Sequence, residues 1–147
     1  TKTAVVSTGL CTNSEAVSQI REVLRWCGVE VLTIQTPRYS QHLDGFMAMV
    51  DVDKVLVNPT MLPYDFMIEL RKRDIEMIHI CPEDPPFAVN VLPISPGRII
   101  ASEMSEQTLE LLDKKGVEVK SICYEPCWSS GGGIHCNTAP LARDILD

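Results

Sequence analysis

Ile75-Glu76-Met77-Ile78-His79-Ile80-Cys81 and Val117-Glu118-Val119-Lys120-Ser121-Ile122-Cys123 are two versions of one segment, and their setting decides the fold. Each is a short β-rich run ending in cysteine, and each follows a stretch with helical spacing. Working back from Cys81, Phe46 opens an apolar strand, Lys54-Val55-Leu56-Val57 is a second, and about Tyr64 to Arg73 is a helix. Working back from Cys123, Phe87-Ala88-Val89-Asn90-Val91-Leu92 is a strand, Pro96-Gly97 a turn and Arg98-Ile99-Ile100-Ala101 a second strand. A helix from about Ser105 to Lys115 completes that copy. The residues before Thr36 hold a shorter one: Thr3 to Ser7, a helix, then Val29-Glu30-Val31-Leu32-Thr33-Ile34. An internal repeat of this kind predicts an α/β fold of stacked strand-strand-helix-strand modules. Residues 1–147 read as one domain, with no linker or low-complexity stretch.

The helices carry their own punctuation. Thr12-Asn13-Ser14-Glu15 has the pattern of a capping box, and Val17, Ile20, Leu24 and Cys27 follow at helical spacing. Gly28 and Gly116 stand where C-terminal caps belong. Leu109 and Leu112 share a helix side, and Lys114-Lys115 in the last turn complement the helix dipole.

Hydrophobic residues make up 45% of the chain and aromatic residues only 5%, so the core must be built from Val, Ile, Leu and Met. A formal net charge of −7 argues against a nucleic-acid partner, whose phosphates would be repelled. It mildly favours the approach of small cations. No apolar run approaches the roughly 20 residues that cross a bilayer, and no signal peptide is visible, so no membrane partner is expected.

Six cysteines require a choice among disulfides, zinc and free thiols. Cys81 and Cys123, at equivalent strand ends, and Cys27, before Gly28, read as buried packing thiols. Cys123, Cys127, His135 and Cys136 are the one conceivable zinc set, but they lack the paired short knuckles of structural sites. No metal is expected, and a reduced, cytoplasmic protein is the simpler reading.

Two stretches carry candidate chemistry. Ser129-Ser130-Gly131-Gly132-Gly133-Ile134-His135-Cys136-Asn137-Thr138 sets three glycines ahead of a cysteine. Glycine permits positive φ and a close approach of backbone to ligand, which suits Cys136 as a nucleophile; the plainer reading is a flexible loop and an edge strand with an incidental thiol. Gln41-His42-Leu43-Asp44-Gly45-Phe46-Met47-Ala48-Met49-Val50 reads as a strand, which would turn His42 and Asp44 to one face. A thiol, an imidazole and a carboxylate brought together supply a nucleophile, a proton shuttle and a cation-binding group.

Thr12-Asn13, His42-Leu43-Asp44, Val57-Asn58-Pro59, Asn90-Val91-Leu92 and Gly131-Gly132-Gly133-Ile134-His135-Cys136-Asn137-Thr138 occur in the order found in the guanidino-group-modifying superfamily. That superfamily contains amidinotransferases, arginine deiminase and dimethylarginine dimethylaminohydrolase, and the chain resembles its carboxy-terminal portion over nearly all 147 residues. The Gly-Gly-Gly-x-His-Cys-x-Thr and Asn-Val-Leu motifs point to the amidinotransferase branch. The resemblance implies a pentein-type α/β propeller of five ββαβ modules, of which this chain would supply about three. It implies that residues 1–147 are the C-terminal part of a longer catalytic domain.

It also implies a mechanism. Cys136 attacks a guanidinium carbon, giving a covalent amidino-enzyme intermediate; His42 moves the proton; Asp44 binds the guanidinium. Gly132, Gly133 and Asn90 contact the substrate, and no cofactor is needed. His135 is assigned no chemistry, because a regular strand would point it away from Cys136. Three departures qualify the match. The family's second carboxylate has no counterpart here, Cys11 replaces the arginine common in the hydrolases, and Thr60-Met61-Leu62-Pro63 lacks the branch's arginine after Asn-Pro. Alternatives to an amidinotransferase are a guanidino hydrolase of deiminase or dimethylaminohydrolase type, and a non-catalytic binding or assembly module. Either a missing N-terminal half or a homo-oligomer would complete the open modules.

Overall fold

The computed structural model describes residues 2–37, 40–129 and 131–143. Ser130, within the glycine-rich stretch, lies outside them. Strand β1 (Lys2–Thr8), helix α1 (Ser14–Trp26) and strand β2 (Val29–Gln35) form the first unit. Strands β3 (Met47–Met49) and β4 (Lys54–Val57), helix α2 (Tyr64–Lys72) and strand β5 (Glu76–His79) form the second. Strands β6 (Leu92–Ser95) and β7 (Arg98–Ser102), helix α3 (Glu106–Lys114) and strand β8 (Glu118–Ile122) form the third, and a one-turn helix α4 (Glu125–Trp128) follows. Each full unit is a three-stranded sheet with an antiparallel first pair and a parallel second pair, in the orders β3-β4-β5 and β6-β7-β8. The first unit pairs β1 and β2 in parallel and carries no third strand among the described residues.

Strand β4 joins two cores through its period-two alternation. Val55, Leu56 and Val57 are all fully buried. Leu56 enters one cluster with Ile78, Val89, Ile99 and Leu112, while Val55 and Val57 enter the other with Ile34, Phe46, Phe66 and Leu70. A strand buried on both faces reads as a continuous apolar run, as this one does. Each such side chain contributes about 1.5–3 kcal/mol by leaving water.

Helix starts and stops follow local chemistry. Asn13 caps α1 by accepting from the Ala16 N–H at 2.9 Å, so the cap is Asn13 rather than a Thr12–Glu15 box; Glu15 bonds Gln19 instead. Gly28 (φ +68°) and Gly116 (φ +80°) take the left-handed conformation that ends α1 and α3. On α1 only Val17 is buried, Leu24 is half-buried, and Ile20 and Cys27 are exposed, because a two-stranded sheet covers a narrower helix face than three strands do.

Three segments read as strands fold otherwise. Residues 41–46 hold a 3-10 turn, Leu43–Gly45, and only Met47–Met49 is strand. Pro85 and Pro86 force a second 3-10 turn, Pro86–Val89, where a strand from Phe87 was expected. The chain around Cys136 runs in turns, with Gly131 at φ +92° and Gly132 at φ +83°. Cys27 and Cys123 are exposed and Cys81 half-buried, so none is the buried packing thiol anticipated; β5 and β8 end before their cysteines. All six thiols are free.

Candidate active site

Three turns converge on Cys136. The 3-10 turn ahead of β3 brings Asp44, the one ahead of β6 ends at Asn90, and the loop after α4 brings His135 and Cys136. Cys136 Sγ lies 3.4 Å from Asp44 Oδ2 and 3.1 Å from Asn90 Nδ2. The Cys136 main-chain N–H donates to Asn90 Oδ1 at 3.2 Å, and Asn90 Nδ2 donates to the Asp44 carbonyl at 3.0 Å. His135 Nδ1 is 2.9 Å from Asp44 Oδ2.

Burial works against the Asp44 carboxylate, yet hydrogen bonds from His135 and Cys136 outweigh it and hold the carboxyl below its ordinary range. An ionised carboxylate only accepts, so His135 Nδ1 must carry the proton in this pair. Asp44 Oδ1 is buried and has no partner among the described residues. Cys136 is exposed as a residue, yet its thiol is pushed up, first by partial desolvation and then by the Asp44 charge, while a Gly133 backbone contact and Asn90 pull the other way. A cation between Cys136 and Asp44 would reverse the electrostatic part of that shift.

The glycines have partners that the sequence did not name. A Cβ on Gly133 would stand 2.4–2.6 Å from Asn90 Oδ1, Cβ and Cγ, and one on Gly132 would stand 2.9 Å from Cys136 Cβ. Their close approach is therefore to the chain's own side chains. Tyr124 supports the same loop: its hydroxyl donates to the Gly133 carbonyl at 3.2 Å and accepts from Asn137 Nδ2 at 2.5 Å. Trp128 on α4 meets Phe87, on the turn that leads to Asn90, edge-to-face at 6.1 Å.

His42 stands apart. It is exposed at the start of the Asp44 turn, and its imidazole makes no hydrogen bond among the described residues. The 3-10 turn abolishes the strand alternation that was to align His42 with Asp44, and the imidazole that meets Asp44 is that of His135. A regular strand would turn His135 away from the site; the three successive glycines before it are the signal that no strand forms there. Among the described residues no cluster of three or more His, Cys, Asp or Glu is arranged to hold a metal ion, and His135 is taken up by Asp44. No helix among them is long and apolar enough to cross a membrane.

Comparison with known proteins gives this arrangement a family. The sequence profile described as arginine deiminase matches residues 70–143, just over half of the chain, and the chain belongs to that family, within the guanidino-group-modifying superfamily. It is 26% identical to the arginine deiminase of Rhodococcus erythropolis over 80% of its length, which is 36% of that protein. Its fold is similar to that of SxtG, an amidinotransferase of the saxitoxin pathway from Microseira wollei, with a TM-score of 0.81 and 18% identity. That match covers 97% of this chain and 45% of the other. The dimethylarginine dimethylaminohydrolase of Pseudomonas aeruginosa has a TM-score of 0.69 at 20% identity, covering 88% and 49% of the two chains. The chain thus spans about a third to a half of the length of these relatives, all of them enzymes.

Proposed function

We propose that Cys136 is the nucleophile of an amidino-transferring enzyme that acts on a small guanidino compound. The observation that carries this reading is the pairing of the Cys136 thiol with an ionised Asp44 whose Oδ1 is buried and unpartnered. A planar guanidinium bridging that oxygen and the sulfur would satisfy the orphan acceptor and offset the charge that holds the thiol protonated.

In the first half-reaction the sulfur forms a bond to the guanidinium carbon. The bond from that carbon to one nitrogen then breaks, with a proton delivered to the leaving amine, and an amidino-thioether remains on Cys136. His42, exposed and without a hydrogen-bond partner, is the proposed donor of that proton and the base for the incoming nucleophile. His135 holds Asp44 ionised and oriented. An acceptor amine completes an amidino transfer. Water in its place gives hydrolysis, and the arginine deiminase profile match favours that second outcome.

Residues 1–147 are, in this reading, three units of a five-unit propeller, with the second carboxylate contributed from outside the chain. The fold match to SxtG, which covers 97% of this chain and 45% of the other, supports it. The test is intact mass after incubation with a chloroacetamidine-type electrophile. A single adduct on Cys136, formed faster than on the other thiols and slowed by His42→Ala and Asp44→Ala, is the expected result. Slow labelling spread over several cysteines would mean that residues 1–147 alone hold no working site, and the non-catalytic or fragment reading would take its place.

A further inference from the structure

Asn90 is 3% exposed, and its carboxamide is engaged by the chain itself. The amide nitrogen has two hydrogens; one points to Cys136 Sγ at 3.1 Å and the other to the Asp44 carbonyl at 3.0 Å. The oxygen accepts from the Cys136 N–H at 3.2 Å. No donor is left for a substrate. Gly133 makes this seat, because any Cβ there would overlap the carboxamide, and its φ does not itself demand glycine.

We infer that Asn90 is a positioning residue for Cys136 rather than a substrate contact. It ties sulfur, Cys136 main chain and Asp44 main chain into one geometry and donates a hydrogen bond that the thiolate accepts more strongly than the thiol. This rests on the reading of Cys136 as nucleophile and adds a cause for its reactivity. The titratable groups that face the sulfur are Asp44, from the turn ahead of β3, and His135, on the sulfur's own loop and bound to Asp44. Burial and Asp44 hold the thiol up; the Gly133 backbone contact and Asn90 work against them.

That opposition separates positioning from mere support. Removing the Asn90 donor raises the pH at which Cys136 becomes reactive, whereas loosening the pocket relieves burial and lowers it. The measurement is the rate of iodoacetamide alkylation at Cys136, read by peptide mass, in the intact protein from about pH 6 to 10. Asn90→Ala is expected to move the midpoint upward and slow alkylation at neutral pH about tenfold. Gly133→Ala, which unseats Asn90 and also disturbs the Gly133 backbone contact, is expected to do the same; Asn90→Ser, which keeps a polar side chain too short to reach the sulfur, carries the test if Asn90→Ala does not fold. The double variant should be no slower than either single one.

A midpoint that stays or falls in Asn90→Ala, or effects that add in the double variant, would overturn the assignment. Iodoacetamide needs no guanidinium site. An unmoved midpoint alongside normal amidine labelling would therefore remove Asn90's role alone. A raised midpoint in a protein that amidines do not label would keep that role while sinking the proposed function.

Discussion

The turn ahead of β3 and the turn ahead of β6 occupy the same place in two successive modules, yet they present opposite chemistry. Each is a single 3-10 turn, Leu43–Gly45 and Pro86–Val89. Asp44 comes from the first, and Asn90 follows it by 46 residues. Cys136 follows by a further 46, in the loop after the third unit. The two side chains have nearly one shape, but the carboxylate is an acceptor with an unpartnered oxygen and the carboxamide a donor with no hydrogen free. Repetition of the module delivers the positions; in the proposed reading, the exchange of one oxygen for an NH2 divides the roles between a cation and a thiol.

The bluntest way to break this comparison is to remove the group that both turns address. Cys136→Ser should abolish covalent labelling by an amidine, read as intact mass, while Cys81→Ser should label at the native rate with a modest loss of stability. Making the turns alike should have a smaller effect, in two directions. Asp44→Asn should slow labelling by a cationic amidine about a hundredfold by removing the charged acceptor. The same change should speed alkylation by neutral iodoacetamide, because it lifts the charge that holds the thiol up. If both reagents slow together, Asp44 supports the loop rather than the cation.

Changes outside the turns sharpen the contrast by leaving it alone. Leu56→Ala empties a fully buried site between β3 and β5 and should cost about 2–5 kcal/mol in denaturant unfolding. It should not move the pH midpoint of Cys136 alkylation.

The smallest expected effect is on acid stability. The Asp44 carboxyl sits below its unfolded value, so its contribution is complete above that value, about pH 4, and is lost as pH falls through the lower native one. Tm measured down the acid limb should therefore fall less steeply in Asp44→Asn than in the native protein. Equal slopes would mean that the carboxyl is not held ionised by its neighbours.

What could be read in advance divides along the same line. Lys54–Val57 declared itself as a strand and Leu109 with Leu112 as a helix face, because apolar periodicity is local. The third and second units emerged as copies for the same reason. Of the candidate site, Asp44, Asn90 and Cys136 were legible as types through their motifs, but not as an arrangement. Gln41–Val50 looked like one strand because its second half is one, and the alternation drawn through it joined His42 to Asp44. His135 meets Asp44 across 91 residues of chain, and contacts at such separations leave no periodic trace. Two prolines before Phe87 and three glycines before Ile134 were the local signs that strands would give way to turns, and the hydrophobic pattern spoke over them.

Because Asp44 and Cys136 are 92 residues apart, no short stretch of this chain contains the proposed reactive centre. A ribosome would finish the second unit, then the turn of Asn90, then the third unit, before the glycine loop emerged. Until that loop docks, Cys136 is an ordinary solvated thiol with no carboxylate or amide beside it. Assembly of the proposed nucleophile's surroundings therefore requires the preceding modules to be in place.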